Sequence, residues 1–122
     1  MNVFKDQEKF MKACDQSVAE YNEQQVALYC KLIDEEVEEL QEAVTAEDRV
    51  EMVDALIDIL VVTIGALHSM GADAEGAWKE VMRSNFSKID KETGMVRKRE
   101  DGKVLKPITY SPPDLAPFVT KQ

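Results

Sequence analysis

The sequence predicts an all-α fold, a bundle of four to five helices followed by an irregular C-terminal arm. Three observations predict it. Apolar residues recur at three- and four-residue spacing over long stretches before residue 87. Residues that start or stop helices punctuate those stretches, at Tyr21-Asn22, at Thr45 with Asp48, and at Gly71 with Asp73. After residue 87 the composition changes, with seven basic residues between 88 and 106 and then Pro107, Pro112, Pro113 and Pro117.

Taken in order, residues 3 to about 19 read as a first helix with a loose stripe of Phe4, Phe10, Met11, Cys14 and Val18. A second helix is expected from about Glu23 to Val44, on the stripe Val26, Tyr29, Cys30, Ile33, Val37, Leu40 and Val44. Thr45, with Asp48 three residues on, reads as the cap of a third helix from about Ala46 to Ser69, which Gly71 closes. Its centre, Ala55 to Leu67, is apolar nearly all round, as in the central helix of a bundle. Asp73 caps a fourth helix from about Ala74 to Phe86, with Trp78, Val81 and Met82 facing inward. Turn signals at Thr93-Gly94 and Asp101-Gly102 predict an irregular arm or a short hairpin, and the prolines an extended end.

A chain of 122 residues, 44% hydrophobic, is read as one domain, with residues 88–122 as its arm. Its net charge of −9 argues against nonspecific nucleic-acid binding. Cys14 and Cys30 lack a metal-ligand spacing and read as reduced, partly buried thiols. The first residues lack the apolar core of a secretion signal, and the uncharged run Ile59 to Met70 is too short to span a bilayer. A cytoplasmic protein with no membrane partner is expected. A single histidine, His68, argues against histidine-based zinc chemistry and against Ser-His or Cys-His catalysis.

The chemistry concentrates in residues 34 to 58, which hold eleven Asp or Glu and one basic residue, Arg49. Glu35, Glu36 and Glu39 form Glu-Glu-x-x-Glu on the second helix. Glu51 and Asp54 form Glu-x-x-Asp on the third, and Asp58 follows one turn later. Residues three and four apart share a helix face, so each group aims carboxylates one way. Glu36 and Glu39 sit to one side of the buried stripe, while Glu38 and Glu42 point elsewhere and read as solvated acids. Helices joined by a short turn pack antiparallel, which sets Glu36 and Glu39 opposite Glu51 and Asp54. Either motif alone is common on a solvated helix face. Together, beside apolar stripes and without cations to pair with, they make a hard divalent cation the simplest neutraliser.

These residues resemble a known family, the all-α or MazG-like nucleoside triphosphate pyrophosphohydrolases, which carry Glu-Glu-x-x-Glu followed by Glu-x-x-Asp on adjacent helices. The match is Glu35-Glu36-Val37-Glu38-Glu39 with Glu51-Met52-Val53-Asp54. The eleven residues between the motifs are at the short edge of the family pattern, so the loop must be tight. Asn85-Phe86-Ser87-Lys88 and Glu100 to Pro107 are similar to a dUTPase-like branch. The resemblance implies a magnesium-dependent hydrolase, with manganese as a substitute, that converts a nucleoside triphosphate to its monophosphate and pyrophosphate. It leans toward dUTP or another non-canonical or pyrimidine deoxynucleotide and toward a house-cleaning role. It also implies that Glu36, Glu39, Glu51 and Asp54 hold the metal, and that Glu35 binds a further metal or, with Glu39, serves the attacking water. Asp58 is either an added ligand or a capped polar residue in the core. Lys88 and Asn85 would meet phosphates, as would Lys103 and Lys106 unless they belong to a solvated basic arm. Phe10, Trp78 and Phe86 are read as core first and as base-stacking residues second. A homodimer or homotetramer is implied, since a four-helix chain covers its central helix only against a partner. Two alternatives stand beside this reading: phosphoribosyl-ATP pyrophosphohydrolase of histidine biosynthesis, and an acidic helical-bundle interaction protein whose carboxylates are only solvated.

Overall fold

The computed structural model describes residues 1–119, so the last three residues of the expected arm lie outside the described residues. Four α-helices follow one another: α1 (Val3–Ala13), α2 (Glu23–Thr45), α3 (Arg49–Ser69) and α4 (Ala74–Phe86), with a 3-10 turn at Ala116–Phe118. The described residues contain no β-strand, only an antiparallel bridge between Lys98 and Val104. The all-α expectation holds. The chain divides into two compact units, one of residues 1–74 with Val119, the other Glu75–Phe118.

In the first unit, side chains decide where each helix begins. Asn2, Asn22 and Asp48 each accept, through Oδ1, the amide three residues on at 3.1 Å. The helix ends share one device. Asp15 (φ 58), Glu47 (φ 55) and Gly71 (φ 68) turn left-handed, and the amide after each returns to a helical carbonyl. These bonds run from Gln16 to Met11, Asp48 to Ala43 and Ala72 to Leu67.

This device corrects two expected boundaries. α1 stops at Ala13 rather than near residue 19, because the chain turns at Asp15. The segment after it is pinned to α2: Gln25 accepts from the Ser17 amide at 3.1 Å and donates to the Ser17 carbonyl at 2.7 Å. Thr45 ends α2 instead of capping α3; Asp48 is the cap, so α3 starts at Arg49 rather than Ala46.

α2 and α3 form an antiparallel hairpin. At its open end the Asn22 amide donates to the Ser69 carbonyl at 2.8 Å, and Gln25 Nε2 donates to Ser69 Oγ at 2.8 Å. One turn in, the Tyr29 ring lies against Gly65 so closely that a Cβ there would fall 2.3 Å from Tyr29 Cε1. The Tyr29 hydroxyl donates to Gln16 Oε1 at 2.6 Å, and burial raises its pKa. α1 packs on α3, where buried His68 sits with Nε2 2.8 Å from the Phe4 carbonyl. A carbonyl only accepts, so His68 donates from Nε2 and serves the packing.

Burial is thinner than the apolar stripes predict. Met11, Tyr29, Ala43, Ala55 and Ile64 are buried, but Val37 and Val44 of the α2 stripe are exposed. Cys14 and Cys30 are free thiols and both exposed, where partly buried ones were expected. Phe10, Trp78 and Phe86, read first as core, are also exposed.

In the second unit the chain after α4 folds back on the helix. Ser87 Oγ accepts from the Ser111 amide at 2.9 Å, and Arg83 Nη2 donates to the Pro112 carbonyl at 3.1 Å. Glu80 accepts from the Asp114 amide at 2.7 Å and pairs with Arg83, and these contacts pull its pKa down to about 2. The expected turns are present at Gly94 (φ 70) and Gly102 (φ 87), and the second carries a short hairpin closed by the Leu105 amide on the Arg97 carbonyl at 2.8 Å.

Candidate functional site

The α2–α3 hairpin carries both acidic motifs, and its register decides which residues meet. Glu36, Glu39 and Asp58 each bring one carboxylate oxygen to a common point, the three oxygens lying within 4.8 Å of one another. Asp54 stands close enough for its charge to act on both Glu36 and Asp58. Toward the turn, a cavity of about 480 Å³ opens between the helices, lined by Glu39, Glu42, Asp48, Glu51 and Asp54 with Ala43 and Ala55. Glu39 belongs to both groups. The result is one acidic groove running along the helix pair.

This geometry sorts the sequence candidates. Glu36 and Glu39 face Asp54 and Asp58, about one turn further along α3 than the expected pairing with Glu51 and Asp54. Asp58, open between ligand and core residue on sequence alone, is a member of the close triad. Glu51 lines the cavity rather than the triad. Glu35 is exposed and belongs to neither group. Sequence reasoning missed Glu42 and Asp48 as lining residues. Glu42 follows Glu39 by three, a spacing that puts them on neighbouring faces. Asp48 was read only for its place beside a cap.

Electrostatics make the triad uncomfortable without a cation. Burial is the first reason the Glu36 pKa is pushed up to about 6; the carboxyl of Glu39 and the charges of Asp58 and Asp54 add to it. Burial, then Asp54 and Glu39, raise Asp58. No ion pair among the described residues involves any of these carboxylates. Glu36 Oε2 is buried and has no hydrogen-bond partner. An orphaned carboxylate oxygen beside two more carboxylates is the donor set a hard divalent cation takes, so the residues present fit a metal.

The expected phosphate contacts lie in the second unit. Lys88 Nζ donates to Asn85 Oδ1 at 3.1 Å and stands 5.8 Å from the centre of the Tyr110 ring; Lys106 Nζ stands 4.9 Å from the same ring. Lys103 lies in the hairpin, where its amide donates to Asp101. No helix of the described residues is long and apolar enough to cross a membrane.

No curated protein matches the chain. Among protein families, the model described as phosphoribosyl-ATP pyrophosphohydrolase matches residues 5–85, which contain α2, α3 and every carboxylate of the groove. Two acidic motifs on adjacent antiparallel helices, a carboxylate triad fitted to a metal, and this match across most of the chain agree. The chain belongs to the phosphoribosyl-ATP pyrophosphohydrolase family, the MazG-like all-α pyrophosphohydrolases that its sequence resembles.

Proposed function

We propose that the protein is a magnesium-dependent nucleotide pyrophosphohydrolase whose reaction takes place at the α2–α3 groove. The observation that carries the reading is the buried, partnerless Glu36 Oε2 within the Glu36, Glu39 and Asp58 triad. On this reading those three side chains and Asp54 would hold the metal, and Glu51 lines the adjoining cavity. When bound, the metal shields the phosphate charge and lowers the pKa of a bound water. The remaining work belongs to the chain. The acidic groove repels a bare polyphosphate, so substrate enters only with its charge neutralised. Glu39, shared by triad and cavity, takes the proton of the attacking water. The resemblance gives Glu35 a part in orienting that water. The oxygen of water joins the α-phosphorus, the α–β phosphoanhydride bond breaks, and pyrophosphate leaves with the bridging oxygen.

Two substrates are favoured by separate observations. The family match favours phosphoribosyl-ATP, and it covers most of the chain. The Asn85 to Lys88 and Glu100 to Pro107 segments favour dUTP through their likeness to the dUTPase-like branch. A panel of nucleoside triphosphates and phosphoribosyl-ATP, assayed for pyrophosphate release with magnesium, separates them. Release that Glu39→Gln abolishes supports the hydrolase, and the best substrate names the branch. No release from any of them, with no effect of magnesium or manganese on thermal stability, refutes the reading and leaves the acidic interaction bundle.

The reading includes a second copy of the chain. α3 presents Val53 (60% exposed), Leu56 (51%), Ile57 (53%) and Leu60 (45%) at helical spacing. A stripe of this kind is covered in a homodimer or homotetramer. Light scattering on wild type and Leu56→Glu tests it: a monomeric wild type refutes the dimer.

A further inference from the structure

Asp58 differs from the other two members of the triad in reach. Glu36 and Glu39 come from α2 on side chains one methylene longer, while Asp58 comes alone from α3. A short side chain goes where its backbone puts it, so the three oxygens meet only if α3 lies close to α2 at this point. That closeness is set two turns away. Glu36 lies seven residues after Tyr29 and Asp58 seven before Gly65, about 10 Å along each helix and on the same face. Gln25 and Ser69 lie four residues further out on either side, in the same register. Gly65 has no Cβ to hold the Tyr29 ring off, and Ser69 Oγ is turned back onto the Gly65 carbonyl at 2.7 Å. The ring is also held from behind. It is buried, its hydroxyl donates to Gln16 Oε1 at 2.6 Å, and the Gln16 amide is tied to the Met11 carbonyl at 2.9 Å. A methyl group on residue 65 would overlap Tyr29 Cε1, and an ordinary carbon contact of about 3.5 Å would part the helices there by about 1 Å. Magnesium holds its oxygens at about 2.0–2.1 Å in a near-ideal octahedron, and calcium at about 2.3–2.6 Å in a flexible shell. The parting exceeds the difference between the two ions.

We propose that Tyr29 packed on Gly65, with Gln16 behind the ring, is a positioning device that fits the triad to a small divalent cation and disfavours a larger one. It acts through the backbone of Asp58, two turns along α3. The device rests on the reading above for the presence of a metal at the triad, and it is tested by comparing two ions, so that the two can fail separately.

The experiment is calorimetric titration of the full chain with magnesium chloride and with calcium chloride at constant ionic strength. Wild type should bind magnesium more tightly than calcium. Gly65→Ala should weaken magnesium by about tenfold or more and calcium by less than about threefold, so that the ratio of the two affinities falls. Gln16→Ala, which releases the Tyr29 hydroxyl and adds no bulk, should move the ratio the same way by severalfold, and it carries the test alone if Gly65→Ala does not fold. Circular dichroism establishes that each variant is folded before titration. A general loss of packing would weaken both ions alike. Equal weakening of the two ions in the folded variants, or affinities that do not change, overturns the positioning role and leaves the metal at the triad. Wild type that favours calcium overturns the fit to a small ion. Wild type that binds neither ion overturns the metal reading and the positioning role together.

Discussion

Replacing Glu36 by Gln tests the electrostatic account of the groove. The rise of the Glu36 pKa from the ordinary 4.5 to about 6 means that the fold disfavours its ionised form. At about 1.4 kcal/mol per pH unit the penalty is at most about 2 kcal/mol at neutral pH, and solvent reaching the half-buried Glu36 lowers it. An acid whose pKa is higher in the folded state lets that state hold its proton longer than the unfolded chain. The contribution of Glu36 to the stability of the metal-free protein is therefore greatest below pH 4.5, falls between 4.5 and about 6, and is level above. Gln removes the charge and keeps the shape. Thermal unfolding followed by circular dichroism in EDTA should show Glu36→Gln more stable than wild type at pH 7.5 by up to about 2 kcal/mol, roughly 6 °C for a chain of this size. Below pH 4 the two should coincide. With magnesium the order reverses. A cation at about a hundred times its dissociation constant stabilises wild type by about 2.7 kcal/mol, and the variant should lose that gain. A variant no more stable than wild type at pH 7.5 in EDTA refutes the buried-charge argument. A variant that keeps the full magnesium gain refutes the metal assignment.

Gly65→Ala puts a methyl group 2.3 Å from Tyr29 Cε1 and should destabilise the hairpin by about 1–3 kcal/mol in chemical denaturation; a neutral result would mean that Tyr29 moves aside freely. Asp48→Ala removes the α3 cap and should cost about 1 kcal/mol, while Asp48→Asn, which keeps the acceptor, should unfold close to wild type. Glu80→Gln weakens the hold on the Asp114 amide, so hydrogen exchange there should accelerate; unchanged protection would show that other contacts hold the segment. The Glu80 pKa is lowered to about 2, so its grip should persist at pH 4.5 and weaken only as pH falls toward 2.

How much of this was legible in the sequence follows from the range of the interactions involved. α2 and α4 were readable to within a residue or two, because periodicity and composition are properties of neighbours along the chain. The start of α3 was misread by three residues: two cap-type residues, Thr45 and Asp48, lie close together, and only the left-handed turn at Glu47 selects between them. α1 was overextended because Val18 continues its apolar spacing, while Gln25 and Tyr29, distant in sequence, tie residues 16 and 17 to α2. The chemistry of the groove was also legible, since carboxylates three and four apart on a helix must share a side whatever packs against them. Which carboxylates meet was not. That depends on the register of α2 against α3, set by the three-residue turn at one end and by Tyr29 against Gly65 and Asn22 against Ser69 at the other. These contacts bring Asp58 to Glu36 and leave Glu51 to the cavity. The basic residues of the arm were legible, but that Lys88 and Lys106 meet at the Tyr110 ring was not, since it depends on how the arm folds. By itself the sequence determined the helices and the facing of their acids, through local spacing. Tertiary structure alone decided which charges converge, because convergence depends on contacts between residues far apart in the chain.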